Sequence, residues 1–437
     1  MTTQPGKKIL IISYYWPPSG GSGVQRWLKF VKYLPEEGWK PYVFTPENPA
    51  FAVRDESLLK DVPMEAEVIR FPIWEPYEAF FKLSKITGSK KTAKPTDLVS
   101  AKQESLFHKI STWIRGNLFI PDPRVFWVRP AASFLHDFLR ENEIETIITT
   151  GPPHSMHLIG LRLKKKNPSL QWIVDLRDPW SQWGFLDSLK AGTFARNMHK
   201  RLEAKVLRNA DKVITVTPFY VRQFEKLGGR KVLLLTNGYD ESDFKDLTIQ
   251  KTDKFVIRHV GIVNEKCDPR PFMLSVKKLL STHEVFRSSV HIDFTGEVHP
   301  QFQAFVRESP ELSAITSFTP PVPHKQLIPM YGQSSLLLFV IHGYKNAEGY
   351  LPGKLFEYLA TGLPILGVGP EDGDAAVVLQ KSEAGLMIDA HNHQGLTDFL
   401  LAKFAAWQNP SGSGITASSA YKSYSRKELT KDLTEIL

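Results

Sequence analysis

The feature that most constrains the fold of this chain is a regular alternation of short apolar runs with amphipathic stretches. The apolar runs of the first half predict strands, and stretches such as 24–34, 129–142, 157–165 and 195–208 predict the helices between them. The predicted strands cover residues 8–13, 40–45, 67–71, 145–149, 171–175, 212–216 and 231–235. Strands and helices in alternation build a parallel sheet with helices on both faces.

The alternation begins again after the turn at Asn237-Gly238. Its predicted strands cover residues 255–260, 291–295, 314–318, 335–340 and 364–367. Because 437 residues suit two domains better than one core, we predict an α/β protein of two Rossmann-like domains, 1–240 and 241–410, facing a cleft. The segment 411–437 is predicted to end in a helix that returns to the first domain, and the capping-box pair Ser425 and Glu428 marks its start.

Charge and cysteine content narrow the cellular setting. The formal net charge of +9 favours a negatively charged partner, and it leaves nucleotide phosphate, anionic lipid and nucleic acid open. The single cysteine, Cys267, cannot form an internal disulfide, and no cysteine and histidine spacing is typical of a structural zinc site. The apolar run 9–12 is too short to span a membrane and lacks signal-peptide flanks. We therefore expect a cytoplasmic protein.

A glycine-rich loop follows the first predicted strand. Gly20, Gly21 and Gly23 let the backbone approach a ligand closely, and the next helix offers unpaired N–H groups to an anion or a polar acceptor. The glycine spacing differs from that of the dinucleotide fingerprint. A tight turn would also explain these glycines, but their position at the end of the first strand favours a binding site.

Polar residues gather at the ends of two further predicted strands. His154 comes soon after the strand 145–149, and Arg177 and Asp178 follow the strand 171–175. Because the carboxyl ends of neighbouring parallel strands meet at one edge, the three side chains are predicted to share a site, and they are the catalytic candidates. Taken singly, Asp178 could cap a helix and Arg177 could pair with Asp175.

The stretch 348–365 carries the most specific pattern. Gly353 opens a predicted helix whose first turns hold Lys354, Leu355 and Glu357. A helix N-terminus beside a lysine can bind a pyrophosphate, and a glutamate one turn further can accept hydrogen bonds from ribose hydroxyls. Glu357 could instead be a favourable charge on the helix dipole. That alternative leaves the Pro- and Gly-rich loop before the helix unexplained.

Taken together, these residues resemble the retaining glycosyltransferases of family four, which have the GT-B fold, and the resemblance covers nearly the whole chain. It is carried by the glycine loop 20–23, by Asn237-Gly238-Tyr239-Asp240, by His259-Val260-Gly261 and by Phe294-Thr295-Gly296. The strongest match is Pro352-Gly353-Lys354-Leu355-Phe356-Glu357-Tyr358-Leu359-Ala360, which is similar to the variant common in bacterial surface-polysaccharide synthesis.

The resemblance implies a nucleotide-diphosphate-sugar donor in the domain 241–410 and a glycan or lipid-linked acceptor in the domain 1–240. The donor-binding candidates are Gly21, Gly23, Lys266, Arg270, Gly353, Lys354, Leu355 and Glu357. Of these, Glu357 is implied to hold the ribose, and Lys266 and Arg270 to neutralise the diphosphate. The chain departs from the family at three points. Glu348 stands one place too early for the usual glutamate pair, Arg177 replaces a frequent histidine, and Val263 stands where members often have an arginine.

The expected chemistry needs neither a metal ion nor a cofactor. No Asp-x-Asp pair follows a predicted strand, so lysine and arginine are expected to stabilise the leaving diphosphate in place of a metal. No protein nucleophile is assigned, because in retaining family members the leaving phosphate is thought to help deprotonate the acceptor. A nucleotide-sugar epimerase of the same fold and a non-catalytic nucleotide-binding scaffold remain the alternatives. No sequence signature supports a nucleic-acid partner.

An apolar stripe within 106–118 predicts a further partner, an anionic membrane surface at the inner face of the cell membrane. The stripe consists of Leu106, Phe107, Ile110, Trp113, Ile114 and Leu118, at spacings of three and four residues. The cations around it are Lys102, His108, Lys109, Arg115 and the lysines of 85–94. Such a helix can lie in the headgroup layer. The stripe could equally pack on its own domain.

Overall fold

The computed structural model describes residues 6–49, 54–75, 106–182, 184–341, 343, 345–409 and 419–437. The chain forms two compact units. Unit 1 consists of Met1–Thr236 together with Leu429–Leu437, and unit 2 consists of Asn237–Glu428. The lysine patch 85–94 and Lys102 lie outside the described residues.

Unit 1 is a seven-stranded parallel sheet with the strand order β3-β2-β1-β4-β5-β6-β7. Its strands are β1 (Lys7–Ile12), β2 (Trp39–Pro46), β3 (Glu67–Phe71), β4 (Thr146–Gly151), β5 (Gln171–Leu176), β6 (Lys212–Thr215) and β7 (Leu233–Leu234). Its helices are α1 (Ser22–Tyr33), α2 (Leu106–Asn117), α3 (Val128–Glu141), α4 (Ser155–Lys166), α5 (Phe185–Ser188), α6 (Thr193–Asn209) and α7 (Pro218–Gly228). Apolar clusters cover the sheet on both faces, and strands β1, β2, β4, β5 and β6 are buried at most of their positions.

Unit 2 is a six-stranded parallel sheet with the order β10-β9-β8-β11-β12-β13. Its strands are β8 (Phe255–Val260), β9 (Val290–Thr295), β10 (Thr316–Thr319), β11 (Leu336–Val340), β12 (Ile365–Val368) and β13 (Gly385–Ile388). Its helices are α8 (Glu241–Phe244), α9 (Arg270–Thr282), α10 (Glu284–Ser289), α11 (Pro300–Arg307), α12 (Pro310–Ile315), α13 (His324–Gly332), α14 (Gly353–Thr361), α15 (Asp374–Lys381) and α16 (His393–Gln408).

The last helix, α17 (Arg426–Ile436), begins in unit 2 and ends in unit 1. The Ser425 hydroxyl accepts a hydrogen bond from the backbone N–H of Glu428 at 3.2 Å, as the capping pair predicts. Leu429 and Leu433 are buried in a core cluster of unit 1. The fold therefore includes a terminal helix that returns to the first domain.

The strand predictions were wrong at two places in unit 2. Strand β10 begins at Thr316, because Ala314 and Ile315 belong to the end of α12. Strand β13 was missed, since it is four residues long and opens on a glycine, which disfavours strands. That glycine is required: a Cβ on Gly385 would lie 1.8 Å from the carbonyl oxygen of Ile365.

Candidate functional site

In both parallel sheets the order in which successive strands are added reverses at a central strand. In unit 1, β1 has β2 on one side and β4 on the other, and in unit 2, β8 has β9 and β11 as its neighbours. Ligands of open parallel sheets bind outside the carboxyl ends of the strands at such switch points. The predicted site residues follow β1, β4 and β5 in unit 1 and β8 and β11 in unit 2. Each unit therefore has its own candidate site.

The glycine loop of unit 1 ends at the start of α1. Gly21, the residue before the helix, has a φ of +90°, a left-handed conformation that favours glycine. No side chain caps α1, and its first turn contains no acidic residue. The positive end of this helix is therefore available to an anion or to a polar acceptor group.

Helix α4, which follows β4, has no such free end. Asp122 accepts hydrogen bonds from the backbone N–H and the hydroxyl of Ser155, both at 2.9 Å. Its carboxylate already occupies the helix N-terminus and compensates the dipole. Of the two helices that leave the switch point of unit 1, α1 is the better candidate for binding a ligand.

Arg177 holds the two loops of this site together. Its guanidinium donates to the carbonyl oxygens of Gly23 at 2.8 Å, Gly151 at 3.0 Å and Pro152 at 3.2 Å. Among the described residues, Arg177 forms no hydrogen bond with Asp175, so the alternative of an Arg177–Asp175 pair is not found. All of these bonds go to the backbone, which suits an arginine that positions the glycine loop against the end of β4.

Asp175 belongs instead to a fully buried ion pair with Arg26. The Arg26 guanidinium donates to both carboxylate oxygens, at 3.1 and 3.2 Å, and Trp27 and Thr150 donate to the same carboxylate at 2.7 and 2.9 Å. Burial alone would raise the pKa of Asp175, but the charges of Arg26 and Arg177 outweigh burial, and its pKa lies below the ordinary value. Asp175 is thus a structural carboxylate.

His154 is buried, and among the described residues neither ring nitrogen has a hydrogen-bond partner. Its ring stacks on Trp180, with the ring centroids 5.1 Å apart and the planes nearly parallel. Burial, followed by the nearby His157, His199 and Arg177, lowers the pKa of His154 well below its usual range. His154 is therefore a neutral imidazole at pH 7 and a poor acceptor of protons.

Asp178 lies in a loop that Glu203 holds in place. The Glu203 carboxylate accepts from the backbone N–H groups of Trp180 at 3.1 Å and Ser181 at 3.0 Å, and also from the Ser181 hydroxyl. The Asp178 side chain is half-buried, and no hydrogen bond to it is found in the described part of the chain. Burial raises the pKa of Asp178, while the Arg177 charge opposes that rise. Asp178 is thus a carboxylate available for a ligand.

In unit 2 the loop after β8 approaches the start of α14. Gly261 has a φ of +127°, and the Lys354 ammonium lies 3.3 Å from the position that a Cβ on Gly261 would take. Lys354 is half-buried, its ammonium lies 5.5 Å from the centre of the Phe339 ring, and it has no ion pair among the described residues. Burial lowers the pKa of Lys354, although Cys267 and Glu357 nearby oppose this. A desolvated cation here attracts an anion strongly.

Helix α14 adds its own positive end to this cation. Gly353 is its first residue, no side chain caps it, and no acidic residue lies in its first turn. A Cβ on Gly353 would meet no atom within 4 Å, so the space before the helix is open. Leu355 is fully buried in the core of unit 2, where it anchors the helix. The helix end and Lys354 together suit a phosphate group.

Glu357 lies one turn further along α14, with both carboxylate oxygens engaged. His324 Nε2 lies 3.3 Å from Oε1, and the Tyr331 hydroxyl donates to Oε2 at 3.3 Å. Sequence reasoning missed both partners. Their spacing of seven residues places them on one face of α13, two turns apart, and this signal could have identified them as a pair.

The other two basic candidates are Lys266, in the loop after β8, and Arg270, the first residue of α9. Arg270 forms an ion pair with Asp268, with 2.6 Å between Nε and Oδ2, and its side chain is 43% exposed. Lys266 is exposed, and its carbonyl oxygen accepts a hydrogen bond from the backbone of Gly343. Arg270 would have to share its charge between Asp268 and a ligand. Within the described residues, no group of three His, Cys, Asp or Glu side chains is arranged to hold a metal ion.

Solved structures share this arrangement of two parallel-sheet units. A glycosyltransferase from Rickettsia africae ESF-5 is 12% identical, with a TM-score of 0.62 over 99% of this chain and 98% of that one. A sucrose-phosphate synthase from Thermosynechococcus elongatus is 14% identical, with a TM-score of 0.61 over 98% of each chain. A structure described as trehalose-6-phosphate from E. coli bound with UDP-2-fluoro glucose is 9% identical, with a TM-score of 0.59 over 98% of each. At these identities the likeness shows the fold, which is the two-domain GT-B fold.

The family follows from a match to the sequence itself. The family model described as a Glycosyl transferase 4-like domain matches residues 20–238, which is half of the chain. The chain belongs to this glycosyl transferase 4-like family, and it is a glycosyltransferase. None of the curated proteins matches its sequence. Over the residues that the structure describes, no helix is long and apolar enough to cross a membrane.

Proposed function

We propose that this enzyme is a retaining, hexosyltransferase-type glycosyltransferase that moves a sugar from a nucleotide-diphosphate-sugar to a glycan or lipid-linked acceptor in polysaccharide synthesis. The observation that carries the proposal is Lys354, a half-buried cation at the uncapped start of α14, one turn before Glu357, that has no ion pair with any residue the structure describes. We assign donor binding to 241–410, acceptor binding to 1–240, and the returning C-terminal helix to 411–437.

The donor diphosphate is proposed to lie between the N-terminus of α14 and the loop after Gly261. When the bond between the sugar C1 and the β-phosphate oxygen breaks, the electron pair remains on that oxygen. Lys354 and the N–H groups at Gly353 stabilise the charge that develops, with support from Lys266 and Arg270. Glu357 accepts hydrogen bonds from the ribose hydroxyls. Leu355 holds the helix in place through the core.

On the acceptor side, we propose that Asp178 accepts a hydrogen bond from an acceptor hydroxyl and that the neutral ring of His154, stacked on Trp180, supports the site from the core. Arg177 is proposed to position the site indirectly, through its hydrogen bonds to the backbone of Gly23, Gly151 and Pro152. Gly21 and Gly23 leave space beside the start of α1 for a polar group of either substrate. The acceptor oxygen bonds to C1 on the face that the diphosphate leaves, and its proton passes to a phosphate oxygen.

Nucleotide-sugars test this function directly. Thermal unfolding of the full chain should shift upward with one or more of a panel of UDP-, GDP- and ADP-linked hexoses, because a ligand that binds only the native state stabilises it. The stabilising donor should then release free sugar slowly in water. A new nucleotide-sugar would indicate the epimerase, and binding without any release would indicate the scaffold. Failure of every donor to bind would contradict the proposal.

Transfer is expected to survive removal of divalent cations. The reason is that Lys354 and the α14 N-terminus supply the positive charge that a metal would otherwise provide. Initial rates should stay within about twofold when EDTA replaces added magnesium or manganese. Free nucleotide release should be measured alongside, since it reports on the same bond. A strict requirement for either metal would contradict this expectation.

We also propose a lipid-linked acceptor, reached at an anionic membrane surface through the end of α2. Two apolar side chains there support it: Trp113 is 50% exposed and Leu118 is 63% exposed. The helix is fixed from behind, because Asn117 accepts a hydrogen bond from the backbone of Gly192 at 2.8 Å. The side chains of Leu106, Phe107, His108, Lys109 and Ile110 lie outside the described residues.

Liposome sedimentation tests this surface. The chain should sediment with anionic vesicles at low salt and less at high salt, because apolar burial and charge attraction both contribute. The double variant Trp113→Ala, Leu118→Ala should lose binding and keep its thermal stability, since both side chains face solvent. The control Met64→Ala changes a fully exposed residue elsewhere in unit 1. No sedimentation of wild type at low salt, or equal loss in the control, would contradict the proposal.

A further inference from the structure

We propose that His324 and Tyr331 are positioning residues that fix the Glu357 carboxylate for two neighbouring ribose hydroxyls, so that the enzyme selects ribonucleotide donors over 2′-deoxyribonucleotide donors. This inference rests on the proposed function, since it concerns the same donor site. It assigns a role to two residues of α13 that lie outside the glycine loop and outside the helix of Lys354.

The first support is the division of the carboxylate between its two partners. His324 Nε2 lies 3.3 Å from Oε1, and the Tyr331 hydroxyl lies 3.3 Å from Oε2. A carboxylate has about four lone-pair directions, so each oxygen keeps capacity for another donor. Two hydroxyls on adjacent carbons present two donors side by side. Contacts at both oxygens restrain the carboxylate from rotating away from that pair.

The second support is the permanent donor character of Tyr331. The ring is fully buried, and burial, followed by the charge of Glu357, raises the pKa of Tyr331 well above its usual range. The hydroxyl therefore keeps its proton at every physiological pH. Its bond to Glu357 can only run from the tyrosine to the carboxylate.

The third support is the packing that fixes Tyr331 itself. Its ring meets that of Tyr358 edge to face, with centroids 5.7 Å apart, and the Tyr358 hydroxyl accepts from the backbone N–H of Val260 at 2.8 Å. Val260 precedes Gly261, the glycine beside Lys354. These contacts connect the Glu357 carboxylate to the loop after β8, where the diphosphate is proposed to bind. Such packing keeps a binding group in a fixed position.

Exposure shows that the carboxylate and the histidine can still be reached. The Glu357 side chain is 27% exposed and the His324 side chain 32% exposed. The buried partner is therefore the tyrosine, and the open side of the carboxylate faces solvent. A site built to bind a hydroxyl rejects the analogue that lacks it, because the acceptor is left unpaired.

Calorimetry on the full-length enzyme tests the inference with UDP, GDP, ADP and CDP, each against its 2′-deoxy counterpart. The ribonucleotide that binds best should bind about 10- to 100-fold more tightly than its 2′-deoxy form. Tyr331→Phe and His324→Ala should each reduce this ratio, and His324→Gln, which restores a donor, should recover it. The 2′-deoxy affinity should change little, whereas general damage to the site would weaken both ligands. His391→Gln, an exposed histidine of unit 2, is the control.

The outcomes separate this inference from the function on which it rests. If Glu357→Gln abolishes the ratio while Tyr331→Phe and His324→Ala leave it unchanged, the donor site stands and the positioning role is wrong. Equal affinity of wild type for the ribo and deoxy forms would also overturn the positioning role. If wild type binds none of the four ribonucleotides, the proposed function itself fails. Tyr331→Phe keeps the ring that packs on Tyr358, so the fold is preserved.

Discussion

Lys354→Ala is expected to lower kcat by about 100- to 1000-fold while the protein stays folded. The ammonium lies beside Gly261 at the start of α14, where the leaving diphosphate is proposed to gain charge. Removing one such group from a preorganised site affects the transition state more than the ground state, so KM should change less than kcat. Because burial lowers the pKa of Lys354, wild-type activity should fall on the alkaline side at a lower pH than an exposed lysine would give.

The measurement is steady-state transfer with the donor identified by thermal stabilisation. Lys381→Ala is the matched control, since Lys381 is an exposed lysine in the last turn of another helix of unit 2. Lys354→Arg should recover only part of the rate, because a planar guanidinium places its charge differently from the compact ammonium. A kcat for Lys354→Ala within threefold of the control would remove this residue from the proposed mechanism.

Asp175→Asn is expected to destabilise unit 1 by about 3–5 kcal/mol. The fully buried Arg26 guanidinium would then face a neutral amide that cannot accept all of the bonds now made by Arg26, Trp27 and Thr150. A buried charge without its counter-ion is among the most costly defects in a protein core. Thermal unfolding followed by tryptophan fluorescence measures the loss, since Trp27 itself contacts the carboxylate.

Asp137→Asn is the matched control for this change. Asp137 pairs with Arg140 on an exposed helix face, so its loss should cost less than about 0.5 kcal/mol. The pKa of Asp175 is lower in the folded protein, so its contribution is present above about pH 4 and is lost as pH falls through the folded pKa. Equal thermal shifts for the two variants would show that the Arg26–Asp175 pair is not a major source of stability.

Most of the fold could be predicted because the apolar pattern that marks each strand lies within a few consecutive residues. Strands β3 and β8 begin and end at the residues that the apolar pattern predicts, and most other strands agree within one or two residues. The missed strand has a tertiary cause. Strand β13 was missed because it begins with Gly385. A glycine is required there by the close approach of the Ile365 carbonyl oxygen, which cannot be deduced from the sequence of β13. The domain limits 1–240, 241–410 and 411–437 stay predictions.

One part of the candidate site could likewise be predicted from local sequence, and another part depends on the tertiary structure. Gly353, Lys354 and Glu357 lie within five residues of one another, so helix geometry alone predicts that they share a helix end. The partners of Glu357 come from α13, and those of Arg177 from the loops after β1 and β4, and only the tertiary structure brings them together. The roles of His154, Arg177 and Asp178 stay predictions.

The three backbone bonds of Arg177 have a consequence for protein engineering. One guanidinium donates to the carbonyl oxygens of Gly23, in the first turn of α1, and of Gly151 and Pro152, at the end of β4. Arg177 therefore links these two segments. Exchanging either segment alone would move a carbonyl oxygen to which Arg177 donates. An exchange of these segments should therefore replace both of them together with Arg177, with all three taken from the same related enzyme.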